Sequence, residues 1–137
     1  MCFTKYGRFF LVIIIVIGSI LLGIIKWYNY PVQIDESCQG QTIKLRKGQK
    51  LELTLTSNPT TGYSWQYSSP LDTGNIKEIK HYFESSSSVI GAGGEEHWVY
   101  QAIKPGSLTI NLEYRRPWEN APPEKTFTVD IIILPLV

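Results

Sequence analysis

Residues 51–67 read LELTLTSNPTTGYSWQY. Leu51, Leu53 and Leu55 alternate with Glu52, Thr54 and Thr56, the period of a strand with one buried and one wet face. The alternation stops at Asn58-Pro59 and gives way to a second aromatic-rich stretch at 63–68. Pro59 sets its own φ and drives Asn58 toward an extended backbone. The Asn58 side chain can bond the backbone two residues on, and Gly62 permits a positive φ. The segment therefore reads as strand, stiff loop and strand, with Thr60 and Thr61 at the tip of the loop.

The same pattern continues along the chain. Leu108, Ile110, Leu112 and Tyr114 alternate with Thr109, Asn111 and Glu113, and Phe127, Val129, Ile131 and Ile133 do the same near the C-terminus. Strands are expected at 41–46, 49–56, 63–68, 76–84, 97–103, 107–115 and 125–133, separated by Gly, Pro and Asn turns every 8–12 residues or so. About seven short strands in about 100 residues predict an all-β, immunoglobulin-like antiparallel sandwich. No repeat is present, and Ser85 to Ser88 is the one low-complexity run.

The first part of the 137-residue chain differs from the rest. Residues 9–25, FFLVIIIVIGSILLGII, carry no charge and lie between Lys5, Arg8 and Lys26. As a helix, these residues would be about 26 Å long, enough for a thin bilayer core. The exit Lys26-Trp27-Tyr28 lacks a small-residue cleavage site and places aromatics at the interface. Residues 1–26 are thus expected as a signal-anchor or signal peptide, the uncleaved anchor being favoured. Residues 27–40 are expected as a tether and 41–137 as the domain. Either form of the leader exports the domain to the periplasmic or extracellular side, membrane-anchored or, if cleaved, secreted. Cys2 and Cys38 would then lie on opposite sides of the membrane, where they cannot pair.

Charge narrows the function. The chain has 13 basic and 12 acidic residues, and three of the basic ones (Lys5, Arg8, Lys26) belong to the leader. The 111 residues after Lys26 thus hold 10 against 12, a net −2. No electrostatic case for nucleic acid remains. No GxSxG elbow, HExxH helix or Walker glycine loop is present. His81 and His97 are expected in surface or cross-strand roles, with no metal site. Glu95 and Glu96, adjacent on one strand, should point to opposite faces. No enzyme, cofactor or small-molecule substrate is expected.

Three loops carry more organisation than turns require. The first is Asn58-Pro59-Thr60-Thr61-Gly62-Tyr63. The second spans Ser85 to Gly94 and ends in Gly91-Ala92-Gly93-Gly94, glycines suited to a sharp bend or to backbone lying flat on another surface. The third contains Arg116-Pro117-Trp118, a tryptophan beside a proline in a polar gap and a candidate binding anchor. The loops follow the second, fourth and sixth strands, so antiparallel connectivity should gather them at one end.

In order and spacing these segments resemble the chagasin family of cysteine-protease inhibitors, which combine an NPTTG-aromatic-x-Trp loop, a GxGG loop and an RPW loop on an immunoglobulin-like sandwich. The resemblance covers roughly residues 38–137. It implies reversible inhibition of papain-like peptidases. Thr60 would sit near the nucleophilic cysteine with Thr61 beside it. Gly91 to Gly94 would lie along the substrate-binding side, and Trp118 would pack on the leaving-group side. Arg116 is expected to brace its loop, and Trp65 to pack in the core beneath the first one. The same strand pattern also fits a membrane-tethered recognition or adhesion module with a non-protease ligand; only the three motifs discriminate.

Overall fold

The computed structural model describes residues 30–136. The expected leader, residues 1–26, and the membrane segment 9–25 lie outside the described residues. Among the described residues no helix is long and apolar enough to cross a membrane.

Eight strands follow in order: β1 (Val32–Ile34), β2 (Thr42–Arg46), β3 (Lys50–Ser57), β4 (Ser64–Tyr67), β5 (Ile76–Ser85), β6 (Gly94–Ala102), β7 (Gly106–Arg115) and β8 (Lys125–Leu134). They form two four-stranded sheets, β1-β3-β6-β5 and β2-β8-β7-β4. Leu51, Leu53, Leu55, Trp98 and Tyr100 from one sheet meet Ile110, Leu112, Phe127, Val129 and Ile131 from the other in the apolar core. All but Trp98 and Tyr100 are residues that the period of two assigned to the buried face; those two lie on a strand expected from its aromatic and branched content.

Two features differ from the expected seven-stranded antiparallel sandwich. First, β1 lies inside the stretch expected as a tether and pairs parallel with β3, Val32 opposite Leu51 and Ile34 opposite Leu53. Three residues between Pro31 and Asp35 are too few to display an alternation, yet Ile34 is 5% exposed and anchors them in the core. Second, β2 pairs parallel with β8. The chain changes sheet between β1 and β2 through a 3-10 turn at Glu36–Cys38, capped by Asp35, whose side chain accepts from the Ser37 amide at 2.9 Å. Hydrogen bonds from Ser37 hold the Asp35 carboxyl below its usual pKa. Cys38, in that turn, is half-buried against the core.

The two histidines take cross-strand roles. His81 stacks on Trp98 and hydrogen-bonds Glu96 at 2.7 Å, while His97 stacks on Tyr82 and bonds the Thr54 hydroxyl at 3.1 Å. Glu96 is buried and Glu95 exposed, the two side chains pointing to opposite faces of β6. Inside the core the Tyr100 hydroxyl meets that of Tyr67 at 2.7 Å, and Tyr67 donates to the Glu78 carboxylate at 2.5 Å. Burial, then the Glu78 hydrogen bond, raises the Tyr67 pKa; burial, then Tyr67, raises that of Tyr100.

Connectivity divides the domain into two ends. β3, β5 and β7 run toward one end, where 58–63, 86–93 and 116–124 make the connections. The connections 47–49, 68–75 and 103–105 lie at the other. Because β1 is parallel to β3, the chain enters the domain at this second end.

Candidate functional site

The first loop is held by its own side chains. Asn58 caps a 3-10 turn at Pro59–Thr61, its Oδ1 accepting from the Thr60 hydroxyl at 2.6 Å and from the Thr60 amide at 3.3 Å. The Thr61 hydroxyl donates to the Asn58 carbonyl at 2.6 Å. Gly62 closes the turn at φ 81°, in the left-handed region that its sequence position anticipated. With these bonds in place, Pro59, Thr60 and Thr61 stand exposed at the tip.

Beneath that loop lies a column of rings. Arg116 covers the face of Tyr63 at 4.6 Å, Tyr63 stacks on Tyr114 with centroids 5.3 Å apart, and Tyr114 meets Trp65 at 5.1 Å. The Tyr114 hydroxyl accepts the Asn58 amide at 2.8 Å, and Trp65 Nε1 donates to the Thr56 carbonyl at 3.1 Å. Trp65 is therefore a core residue under the loop. Tyr114, read in the sequence only as a strand residue, is the post on which the loop is mounted.

The second loop packs against the first. Asn58 Nδ2 reaches the Gly91 carbonyl at 3.5 Å, and a Cβ on Gly93 would lie 3.7 Å from Asn58 Cβ. The loop closes through the Ser86 amide on the Gly93 carbonyl at 3.0 Å, reinforced by the Ser86 hydroxyl at 2.7 Å. Ser85 and Ser87 also bond within the loop, so the serine run serves as internal bracing. Gly91 is exposed at φ 87°, and Ala92 is half-buried. Gly94 is different: it is buried at the start of β6, and a Cβ there would overlap the Glu84 carbonyl oxygen. Its place in the motif reflects strand packing, and its own surface is covered.

Two residues of this loop escaped the sequence reading. Val89 and Ile90 are 71% and 101% exposed at the tip. Branched apolar residues between a serine run and a glycine run were the available signal.

The third loop leans on the first. Arg116 Nε donates to the Thr61 carbonyl at 3.2 Å, and its Nη1 pairs with Glu119 at 2.9 Å, which holds the guanidinium above its usual pKa. Pro117 and Trp118 are exposed, Trp118 at 69%. The indole rests one edge over Gly62, where an added Cβ would sit 2.6 Å from Trp118 Cη2. Gly62 thus serves two ends, the left-handed turn and the seat of the indole. The result is one composite surface whose exposed tips are Pro59, Thr60 and Thr61, Val89, Ile90 and Gly91, and Pro117 with Trp118. Among the described residues no group of three ligating side chains could hold a metal ion.

Comparison with known proteins agrees with this architecture. The family model described as "Chagasin family peptidase inhibitor I42" matches residues 44–131. Chagasin of Trypanosoma cruzi is 35% identical over 91 residues, covering 63% of this chain and 82% of that protein. Amoebiasin-1 of Entamoeba histolytica is 33% identical over 100 residues, covering 73% and 97%. A crystal structure of a cysteine protease inhibitor from Entamoeba histolytica shares the fold with a TM-score of 0.67 at 24% identity, covering 75% of this chain and 95% of that one. A matched segment that holds most of the sandwich, with the three motif loops in order, places this chain in the chagasin family of peptidase inhibitors.

Proposed function

We propose that this chain inhibits papain-like, cathepsin-like cysteine peptidases reversibly, tightly and competitively by wedging its three loops into the active-site cleft. The observation that carries this reading is the mutual bracing of the loops, Asn58 to Gly91, Arg116 to Thr61 and Trp118 over Gly62. Loops already bonded to one another lose little entropy on docking, so more of the contact energy appears as affinity. Three of them around one cleft can reach the protease–inhibitor footprint of about 1,600 Å².

Asn58 through Tyr63 supply the central wedge, with Thr60 and Thr61 toward the nucleophilic cysteine. Gly91, Ala92, Gly93 and Gly94 shape the flank on the substrate-binding side, and Arg116 and Pro117 hold Trp118 on the leaving-group side. Cleavage needs a peptide carbonyl aligned on the nucleophile at about 3–3.5 Å. In the first loop the 3-10 turn folds the backbone back on itself, and this shape supports occupation of the cleft without presenting an extended scissile bond. No covalent bond forms, and Cys38 takes no part. The leader sequence supports export, with the domain acting on the outer side of the membrane.

Titration of papain and of a cathepsin L-like enzyme with residues 31–137 tests the reading. Thr60→Arg and Trp118→Ala are expected to weaken inhibition, the latter by about 2 kcal/mol or more, roughly 30-fold, with little change in the thermal transition. An absence of inhibition at micromolar concentration refutes it, and loss of inhibition in Cys38→Ser refutes the non-covalent mechanism.

A further inference from the structure

The end of the domain opposite the loops has a chemistry of its own. Lys47, Lys50, Lys77 and Lys104 are exposed there beside Arg46, with Asp72 as the carboxylate of the adjoining turn. Backbone bonds draw the turns together: Lys47 to the Leu134 carbonyl at 2.9 Å, Gly48 to that of Ala102 at 2.7 Å, and Lys104 to that of Asn75 at 3.2 Å. Among the described residues none of the four lysines enters an ion pair. At the same end Ile103, Leu134 and Leu136 are exposed at 40%, 41% and 60%. The loop end carries the opposite sign, Asp35, Glu36, Glu84, Glu95, Glu119 and Glu124 outnumbering Arg115, Arg116 and Lys125.

We propose that this basic, apolar end docks on an anionic lipid surface and so holds the inhibitory loops away from the bilayer. Charge complementarity is the first support. Each lysine close to an anionic surface favours the docked state about fivefold, an attraction that fades within roughly 8 Å. The ten residues of β7 set the two ends about 33 Å apart, so the acidic loop end escapes the repulsion it would meet at the surface. The path of the chain is the second support. The apolar run 9–25 ends at Lys26, and β1 begins at Val32 on this same basic end. Six residues of chain span at most about 21 Å, so a membrane-inserted run keeps the lysines within reach of the headgroups. The proposal rests on the membrane reading of 9–25 and is independent of the peptidase assignment.

The test uses the full chain reconstituted into phosphatidylcholine vesicles, with or without phosphatidylglycerol, in a Cys2→Ser, Cys38→Ser background. A fluorophore is attached at Thr73→Cys, on the basic end, or at Ser88→Cys, on the second loop, and headgroup nitroxide lipids act as quenchers. The Thr73→Cys label is expected to be quenched when phosphatidylglycerol is present, and the Ser88→Cys label to remain bright in both lipids. Lys47→Ala with Lys104→Ala should lower the docked-to-undocked ratio roughly 25-fold, whereas Lys47→Arg with Lys104→Arg retains it. Quenching at Ser88→Cys, quenching at Thr73→Cys indifferent to phosphatidylglycerol and to the lysines, or a chain that fails to float with the vesicles overturns the proposal. Papain titration of the Thr73→Cys vesicles, whose label lies away from the three loops, reports on the loops alone: inhibition without docking sinks only the docking, and docking without inhibition sinks only the peptidase reading.

Discussion

Gly62→Ala separates the two duties of that glycine. At φ 81° an alanine pays the left-handed penalty, about 1–2 kcal/mol, because its Cβ crowds the following carbonyl oxygen. Its Cβ would also arrive 2.6 Å from Trp118 Cη2 and 2.8 Å from Cζ2, where carbon atoms rest at about 3.5–4.0 Å. The indole must therefore withdraw by about 1 Å. Being 69% exposed, it can swing outward at little cost to the fold, so the stability loss stays near the backbone term. For a domain of this size that corresponds to a Tm lowered by roughly 5–10 °C. Inhibition should suffer separately, because the displaced Trp118 no longer matches its side of the cleft. The assay is a double-mutant cycle on the inhibition constant of papain, combining Gly62→Ala with Trp118→Ala. If the effect runs through the indole, Gly62→Ala costs little further affinity once Trp118 is gone. Fully additive losses, or a Gly62→Ala variant that inhibits as well as the parent, refute the reasoning.

Other positions give sharper single outcomes. Ile90→Ser should weaken inhibition about tenfold or more while leaving Tm unchanged, since its side chain is fully exposed and only a partner can bury it; unchanged inhibition constants would remove it from the interface. Tyr114→Phe deprives the Asn58 amide of its acceptor and should cost about 1–3 kcal/mol in denaturant melts, with inhibition falling as the first loop loses its post. The raised pKa values of Tyr67 and Tyr100 make alkaline pH destabilising. The unfolded phenols ionise near pH 10 while the folded ones stay neutral, so stability is complete below about 10 and declines as pH rises above it. Thermal melts across that range should show the decline, and Tyr67→Phe should flatten it.

Much of the sandwich was legible in local pattern. The alternations at 51–55, 108–114 and 127–133 named the buried faces because period two depends on the pleat alone. β1 was not legible, since Val32 and Ile34 show no alternation of useful length and acquire their strand from pairing with Leu51 and Leu53. The three loop motifs were legible as motifs, but the division of labour inside them was not. Gly94 is buried strand, and Val89 and Ile90 form an apolar tip that no motif includes; Arg116 alone was expected in the role it takes, bracing the loops through the Thr61 carbonyl.

Sequence by itself determined the strands from β2 to β8, the turns between them and the alternation of loops between two ends, because backbone preference and hydrophobic period act over a few residues. Tertiary structure alone decided how the loops become one surface. Asn58 meets Gly91 across 33 residues, its amide finds Tyr114 across 56, and Trp118 settles on Gly62 at the same separation. Such contacts depend on which strands lie side by side, and the parallel pairings of β1 and β2 show that order being set by the shared core. The same order brought the lysines of separate turns to the opposite end, a distribution that a net charge of −2 conceals.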